Sequence, residues 1–283
     1  MVRRFDPPNV ASTKIRRILD RQSVEYNKEK GKVRTAMYAS DFGNCMRKVW
    51  FQFFPEQFPP DFEIDARLAR IFENGNNMHE RLQMYLKREP EIDFRDEVQV
   101  PQDELQVHGR CDGICVIDER AVVLEFKSIN LDVVENGKEE HIGQLMFYLH
   151  MFTLRRKWLM EEFGIEGFVG IEALADAVSR SGVAFVDLLP VDKWLLTTQG
   201  SVLGELIYES KQTQALFNFT VEYDEDVAKK VVDWFRQLKM FVDGKVCPQV
   251  KYYPTKYPCM YGREDRCQFW NICHGDKKDV LLL

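Results

Sequence analysis

The fold is decided by the stretch HGRCDGICVIDERAVVLEFKS, residues 108–128. Runs of apolar and β-branched residues over Val107–Ile117 and Ala121–Ser128 are typical of two consecutive β-strands. Asp118 and Glu119 lie between the two runs and predict a tight hairpin turn. The stretch therefore predicts an antiparallel hairpin whose second strand ends in Glu-Phe-Lys-Ser.

The predicted hairpin brings charged residues toward one point. Side chains alternate across a strand, so Glu125 and Lys127 share one face while Phe126 points to the other. If the strands pair so that Asp112 lies beside Glu125, two carboxylates and one ammonium converge. Two carboxylates can hold Mg²⁺ or Mn²⁺, and a lysine beside such a metal can orient a water for attack on a phosphate. The alternative is an edge hairpin with its charges in solvent, since Glu-x-Lys is a common pattern.

A helix before the hairpin supplies a candidate additional ligand. Apolar residues recur at helical spacing over Ala66–Lys87, and this segment contains His79. A neutral imidazole suits Mn²⁺ as an extra ligand, and Glu80 beside it is an alternative ligand. A single histidine on a helix is otherwise more often structural.

A second predicted helix, Glu139–Phe163, follows the hairpin. His141, Gln144 and Tyr148 lie at positions i, i+3 and i+7 and therefore on one face of it. The Gln144 amide and the Tyr148 hydroxyl could bind a phosphate or Lys127. The alternative is an ordinary amphipathic helix with an apolar face in the core.

The remaining pattern predicts a mixed α/β protein. Ala11–Lys30 has the pattern of a charged helix, and the short apolar runs Gly167–Leu174 and Val183–Leu189 favour strands. Two longer segments, Val191–Glu209 and Asp224–Asp243, favour helices. These elements predict an α/β core with a helical and cysteine-rich accessory lobe.

Charge and composition limit the classes of function. The net charge is −6, yet residues 1–60 hold 12 Lys and Arg against 6 Asp and Glu, which fits a localised phosphate-binding surface. Charge alone slightly favours a plainer interpretation, a solvated basic helix. Residues 1–20 contain no apolar stretch typical of a signal peptide. No run reaches the roughly 18 apolar residues of a membrane span, so we expect a soluble, cytoplasmic protein without a membrane partner.

Seven cysteines in such a chain favour metal or redox use over disulfides. Cys259, Cys267 and Cys273 follow the spacing C-x7-C-x5-C. With a fourth thiolate they suit a [4Fe–4S] cluster or a structural Zn²⁺. The lack of close C-x-x-C pairs favours the cluster. Cys111 and Cys115 share a strand face, and we expect them to be buried core residues.

These motifs stand in the order found in a known family. The chain resembles RecB-like nucleases of the PD-(D/E)xK superfamily. More narrowly, it resembles iron–sulfur exonucleases related to the CRISPR-associated RecB-like family, many of which occur in phages. The resemblance covers about residues 38–274 and is carried by short motifs: His79, Asp112, Glu125-Phe126-Lys127, Gln144-x-x-x-Tyr148, Ser40-Asp41-x-x-x-Cys45-x-Arg47-Lys48 and the C-terminal cysteines.

The resemblance implies a restriction-endonuclease-like fold, with a mixed central sheet flanked by helices. It implies that four groups bind the catalytic metal: His79, Asp112, Glu125 and the Phe126 carbonyl. Beside the two carboxylates it implies three further active-site residues: Lys127, Gln144 and Tyr148. It implies that four thiolates hold the cluster: Cys45, Cys259, Cys267 and Cys273. The chain departs from the family at Gly262–Arg266, which is typical of an insertion, and Cys247 is a competing cluster ligand.

We therefore expect a metal-dependent DNA exonuclease acting on single strands or duplex ends. Its expected segments are a basic helical part (1–65), a nuclease core (66–215) and a cysteine-rich lobe (216–283). Whether it serves repair, recombination or phage replication, with or without a helicase or annealing protein, stays open. The alternatives are a site-specific endonuclease with structural zinc, a non-catalytic recruiting module in recombination or spacer acquisition, and a metal-stabilised scaffold without a nucleic-acid role. The complete Asp, Glu and Lys set argues against the non-catalytic module.

Overall fold

A computed structural model of the chain describes residues 10–30, 34–61, 65–101, 104–249, 259 and 267–274. The chain forms two units. The terminal unit comprises Met1–Arg34, Phe51–Asn77 and Val250–Leu283, and the sheet unit comprises Thr35–Trp50 and Met78–Gln249.

The described residues form eight α-helices and seven strands. The α-helices are α1 Val10–Lys30, α2 Met46–Phe51, α3 Ala66–Lys87, α4 Glu139–Phe163, α5 Ile171–Arg180, α6 Pro190–Thr197, α7 Glu225–Asp243 and α8 Trp270–His274. The strands are β1 Met37–Tyr38, β2 Asp93–Gln99, β3 Val107–His108, β4 Arg110–Ile117, β5 Arg120–Ile129, β6 Leu203–Ser210 and β7 Leu216–Glu222. Short 3-10 helices occur at Ala39–Asp41 and Phe185–Asp187. No helix in the described ranges is both long enough and apolar enough to span a membrane.

The sheet unit is built on a five-stranded sheet with the order β2-β4-β5-β6-β7. Only β5 and β6 are parallel, and the other neighbouring strands are antiparallel. A parallel pair needs a long crossover connection, and α4, α5 and α6 lie in that connection. A second, two-stranded parallel sheet pairs β1 with β3.

The predicted hairpin forms β4 and β5. Its turn residues Asp118 and Glu119 have positive φ angles of 48° and 60°. Two consecutive left-handed residues are the signature of the tight hairpin turn that matches the twist of the strands. The register pairs Gly113 with Leu124 and Ile117 with Arg120.

Helices cover the two faces of this hairpin in the sheet unit. Leu124 and Phe126 pack in one buried cluster with Met78 and Leu82 of α3. Glu125, on the opposite face of β5, hydrogen bonds to α4. The fold is therefore mixed α/β with a mostly antiparallel central sheet flanked by helices, which confirms the predicted fold class at this level.

The predictions for α3 and α4 are confirmed residue for residue, and that for α7 within one residue. The strands predicted at Gly167–Leu174 and Val183–Leu189 are wrong. These stretches instead hold α5 and a 3-10 helix. Short apolar runs do not distinguish a strand from a helix segment, and Leu174 and Val178 are buried at helical spacing.

The helix predicted at Val191–Glu209 is wrong in its second half. The chain leaves α6 after Thr197 and passes Gly200, whose φ is 64°, before it enters β6. Strand β7 was not predicted, although its alternating sequence LFNFTVE carries a strand signal. Because β7 pairs with β6, the sheet extends past the predicted boundary at residue 215.

Gly113 gives a stability prediction. A Cβ at this position would lie 2.2 Å from Cε2 of Phe94 and 3.3 Å from the carbonyl oxygen of Arg95. Overpacking of a filled core typically costs about 1–3 kcal/mol, so we expect Gly113→Ala to lower the free energy of unfolding by that amount. Urea denaturation measures it, with Gly170→Ala as control because a Cβ there meets no atom within 4 Å.

A second substitution separates the clash from other causes. In a Gly113→Ala, Phe94→Leu double variant the shorter side chain removes the ring atoms that the new Cβ meets. The double variant should therefore lose less stability than the two single changes added together. Additive losses would contradict the packing explanation.

Candidate active site

Two carboxylates meet where the β4–β5 ladder ends. At this end of the ladder the last pair is Gly113 with Leu124, and Asp112 and Glu125 occupy the next position, where the ladder is not continued. Both are buried, with exposed fractions of 8% and 2%. Oδ2 of Asp112 accepts a hydrogen bond of 2.6 Å from the backbone N–H of Phe126. The Asp112 side chain thus fills a place that a backbone carbonyl would take if the ladder continued.

The carbonyl of Phe126 faces the same pair. In an extended strand the N–H and C=O groups of one residue point to the same side. Since the N–H of Phe126 is directed at Asp112, its carbonyl lies on that side as well.

His79 joins the pair from α3. Its Nδ1 lies 2.9 Å from Oδ1 of Asp112, and its ring meets Phe126 edge to face. Burial lowers the pKa of His79, but the hydrogen bond and the charge of Asp112 outweigh that effect and raise it overall. Glu80, the alternative to His79, is exposed to solvent.

The two oxygens of Glu125 have different surroundings. Oε1 accepts from Nζ of Lys127 at 2.6 Å and from Nε2 of Gln144 at 2.7 Å. Oε2 is buried and has no hydrogen-bond partner among the described residues. Burial raises the pKa of Glu125 to about 7, while Lys127 lowers it and Asp112 raises it further. A buried carboxylate oxygen without a hydrogen-bond partner is the group that a bound cation would satisfy.

Lys127 keeps its proton in this setting. Burial lowers the pKa of Lys127, yet the charge of Glu125 and their hydrogen bond outweigh burial and raise it. The side chain is therefore a positive charge directed into the acidic site at neutral pH.

Gln144 and Tyr148 hold Glu125 in place. One amide hydrogen of Gln144 goes to Glu125 and the other to the Tyr148 hydroxyl, 2.7 Å away. Tyr148 is buried and in turn contacts the Arg110 carbonyl at 3.4 Å. Gln144 thus binds the carboxylate directly, and Tyr148 binds Gln144. Among the described hydrogen bonds neither side chain contacts Lys127, and the alternative, that they bind a phosphate, stays a prediction.

Sequence reasoning missed two further residues of the site. Nε2 of Gln83 donates to the Asp112 carbonyl at 2.9 Å and to Oε1 of Glu97 at 2.7 Å. Glu97 has a φ of 51°, and the β2–β4 ladder skips it without a change of register. Its Oε2 lies 2.6 Å from Nε of Arg110. The position of Gln83, one helical turn after His79, was the signal that could have identified it.

The donor set fits a hard divalent cation. The groups that could hold it are His79, Asp112, Glu125 and the Phe126 carbonyl. Across the described ranges, no three His, Cys, Asp or Glu side chains are already grouped as a metal centre. The physical reason at this site is that hydrogen-bond donors now occupy three of the four carboxylate oxygens. The bare Oε2 of Glu125 is the feature that favours a cation here.

The C-terminal cysteines belong to the terminal unit. Cys259 and Cys267 are buried, and the N–H of Cys267 donates to the Cys259 carbonyl at 2.9 Å. Sγ of Cys259 lies 3.3 Å from Nε2 of His274, and Cys273 is half-buried in α8. The predicted insertion Gly262–Arg266 lies outside the described residues.

The remaining cysteines lie in the sheet unit. Burial raises the pKa of Cys247 to about 11, with an opposing effect of Arg47 and a further increase from Cys45. Cys247 stays a competing ligand for the predicted cluster. Cys111 and Cys115 are buried, as predicted.

Comparison with known proteins gives a fold but no family. No family model and no curated protein matches the sequence. The chain is similar to the crystal structure of SSO0001, with a TM-score of 0.52 and 17% identity over 92% of this chain and 96% of that one. It matches an alkaline exonuclease (LHK-Exo) from Laribacter hongkongensis with a TM-score of 0.42 and 10% identity, over 74% and 89% of the two chains. The similarity to SSO0001 establishes a shared fold alone.

Because Oε2 of Glu125 has no hydrogen-bond partner among the described residues, we predict that divalent cations stabilise the folded protein. A ligand at 100 times its dissociation constant stabilises a folded protein by about 2.7 kcal/mol, so Mn²⁺ should raise the thermal unfolding midpoint of the wild type. Asp112→Asn, which removes one charge of the pair, should abolish most of that increase. The control is Glu222→Gln, at an exposed carboxylate of β7. An equal increase in all three proteins would contradict the site.

Proposed function

We propose that this protein is a metal-dependent deoxyribonuclease of the PD-(D/E)xK type. It hydrolyses phosphodiester bonds as an exonuclease on single-stranded DNA or duplex ends. The observation that carries the proposal is the Glu125 carboxylate, which has Lys127 on one oxygen and no partner on the other within the described residues. The exonucleolytic mode is supported by the family resemblance of the motifs.

Mg²⁺ or Mn²⁺ would be held by His79, Asp112, Glu125 and the carbonyl of Phe126. When bound, the ion activates a water molecule and neutralises charge on the phosphate during hydrolysis. The protein contributes the placement of these oxygens. Asp112 is fixed by the Phe126 N–H, and Glu125 is fixed by Gln144.

Lys127 supplies the second positive charge. Although burial lowers the pKa of Lys127, the charge of Glu125 and their hydrogen bond raise it overall, which favours the ammonium form. An ammonium that is already hydrogen-bonded to Glu125 is placed to orient the attacking water and to stabilise the negative charge of the transition state. Such charge stabilisation is strong in a buried site because few water molecules screen it.

A surrounding set of residues keeps these groups in position. Tyr148 orients the Gln144 amide, and Gln83 links the backbone carbonyl of Asp112 to the Glu97 carboxylate. Gln83, Gln144 and Tyr148 are buried and already hydrogen-bonded within the protein, so they do not reach a substrate. We assign them positioning roles.

DNA is the proposed substrate because of charge as well as chemistry. The first 60 residues carry twice as many Lys and Arg as Asp and Glu. On α1, Arg16, Arg17 and Arg21 are exposed. Exposed arginines of this kind bind the phosphate backbone without regard to sequence.

The nuclease proposal predicts a specific loss in one variant. Wild-type protein with Mn²⁺ should degrade end-labelled single-stranded DNA. Lys127→Ala should reduce the rate on the order of 10²–10³-fold, because it removes a preorganised charge. Lys157→Ala, at an exposed lysine of α4, is the matched control and should retain activity.

Three outcomes would redirect the assignment. Cleavage of closed circular single strands would indicate an endonuclease, because an exonuclease requires an end. Tight DNA binding without degradation by the wild type would indicate a recruiting module. Equal activity in the wild type and Lys127→Ala would place the chemistry elsewhere.

We further propose that Cys45, Cys259, Cys267 and Cys273 hold a [4Fe–4S] cluster with a structural role. The thiolate set suits such a cluster, and two of these thiols are buried and joined by a backbone hydrogen bond. Structural zinc is the second candidate, since His274 lies beside Cys259 and zinc accepts mixed Cys and His ligands.

Metal analysis distinguishes the two candidates. Anaerobically purified protein should contain iron and acid-labile sulfide, and Cys267→Ser should lose both because a serine hydroxyl is a poor ligand for the cluster. Cys115→Ala, in the core of the sheet unit, should retain both. Zinc at one equivalent without sulfide would overturn the cluster assignment.

A further inference from the structure

A histidine that the proposed metal site does not use lies at the start of α4. Nδ1 of His141 is 3.0 Å from the hydroxyl oxygen of Tyr208. The same oxygen accepts a 2.8 Å hydrogen bond from the backbone N–H of Lys138. Tyr208 is fully buried in β6, so its hydroxyl has to find its partners within the protein.

These two hydrogen bonds determine the tautomer of His141. The Tyr208 oxygen already accepts from Lys138, and its own hydrogen has one acceptor among the described residues, Nδ1 of His141. If Nδ1 carried a proton instead, the buried hydroxyl hydrogen would have no acceptor, which is costly. Nδ1 is therefore the acceptor, and the hydrogen of the neutral imidazole is on Nε2.

The same histidine is adjacent to the candidate active site. Tyr208 is the residue opposite Lys127 in the parallel β5–β6 ladder. His141 lies one helical turn before Gln144, on the same face of α4. Burial, then the charges of Lys127 and Lys138, lower the pKa of His141 to about 3, so the ring stays neutral near physiological pH.

The Nε2–H group is available to a ligand. His141 is half-buried, and its Nε2 makes no hydrogen bond within the described part of the chain. A nitrogen that carries hydrogen is not a metal ligand, so this group does not extend the proposed metal site. The Nε2–H group of His141 offers one hydrogen-bond donor of fixed direction near the site of the Lys127 ammonium.

We propose that His141 is a substrate-binding residue whose Nε2–H donates to a non-bridging phosphate oxygen of the DNA strand, with Tyr208 as the residue that fixes its tautomer. The inference rests on the proposed nuclease function, because the ligand chemistry is that of a phosphodiester. A neutral donor adds direction to the contact, whereas Lys127 adds charge.

The chain contains a matched control for this pair. Nδ1 of His150 lies 3.0 Å from the hydroxyl of Tyr223, so it has the same type of partner at the same distance. His150 is nine residues after His141 on α4. With 3.6 residues per turn, nine residues place it on the opposite side of the helix, away from Gln144.

The experiment measures binding of end-labelled single-stranded DNA in EDTA, without divalent metal, over a series of salt concentrations. His141→Phe should weaken binding roughly tenfold, the effect of losing one hydrogen bond to a charged group. The slope of log K against log salt should not change, because a neutral donor releases no counterion. His150→Phe should bind like the wild type.

A conservative variant separates binding from folding. In His141→Gln the amide oxygen can accept from Tyr208 while its nitrogen donates to the phosphate. Its affinity should therefore stay within roughly twofold of the wild type. Retained affinity in His141→Gln with weakened binding in His141→Phe supports the proposal when both variants match the wild type in circular dichroism.

Several outcomes overturn the proposal. One is unchanged affinity in His141→Phe, and another is equal weakening in His150→Phe. A third is a salt slope reduced by about one in His141→Phe, which would indicate a charged contact. Failure of the nuclease proposal is seen separately, as wild-type protein that binds DNA in EDTA but does not degrade it with Mn²⁺.

Discussion

The arrangement of the site depends on a carboxylate that is buried with only half of its hydrogen-bonding capacity used. A carboxylate removed from water loses its hydration, and the protein must replace it. Lys127 and Gln144 replace it on Oε1 of Glu125, while Oε2 is left bare within the described residues. Because burial raises the pKa of Glu125 to about 7, its charge is only marginally stable. Such a group favours any cation that reaches it, and this preference makes the site a candidate for metal-assisted chemistry.

Asp112 shows how the backbone around the site is shaped for the same purpose. The β4–β5 ladder stops one residue before Asp112, so its side chain rather than a carbonyl accepts the Phe126 N–H. On its other side, Glu97 adopts a left-handed conformation that is uncommon for residues other than glycine. The Glu97 carboxylate accepts a hydrogen bond from Gln83, which also donates to the Asp112 carbonyl. Conformational cost at one residue thus stabilises the position of a candidate ligand on the neighbouring strand.

Sequence reasoning located the elements whose pattern is dictated by burial. The hairpin, α3 and α4 were predictable because apolar residues line at least one face of each element. The segment between α4 and β6 was predicted wrongly, since its apolar runs are too short to reveal a period. Gln83 and Tyr208 were missed for a different reason. The spacing of Gln83 from His79 places it near the site, but the groups that Gln83 and Tyr208 bind lie 29 and 67 residues away, and only the tertiary fold brings them together.

The parallel pairing of β5 and β6 connects a lysine and a histidine of this site through one tyrosine. It places Tyr208 next to Lys127, and the Tyr208 hydroxyl then reaches the first turn of α4. Two cations near each other would repel strongly in a buried setting. Burial and the charges of Lys127 and Lys138 lower the pKa of His141 and keep it neutral, and the Tyr208 hydroxyl determines which of its nitrogens carries the hydrogen. One residue of the pair is thereby kept charged and the other neutral, so that an anionic ligand would meet a charge and a directed donor together without mutual repulsion between the two.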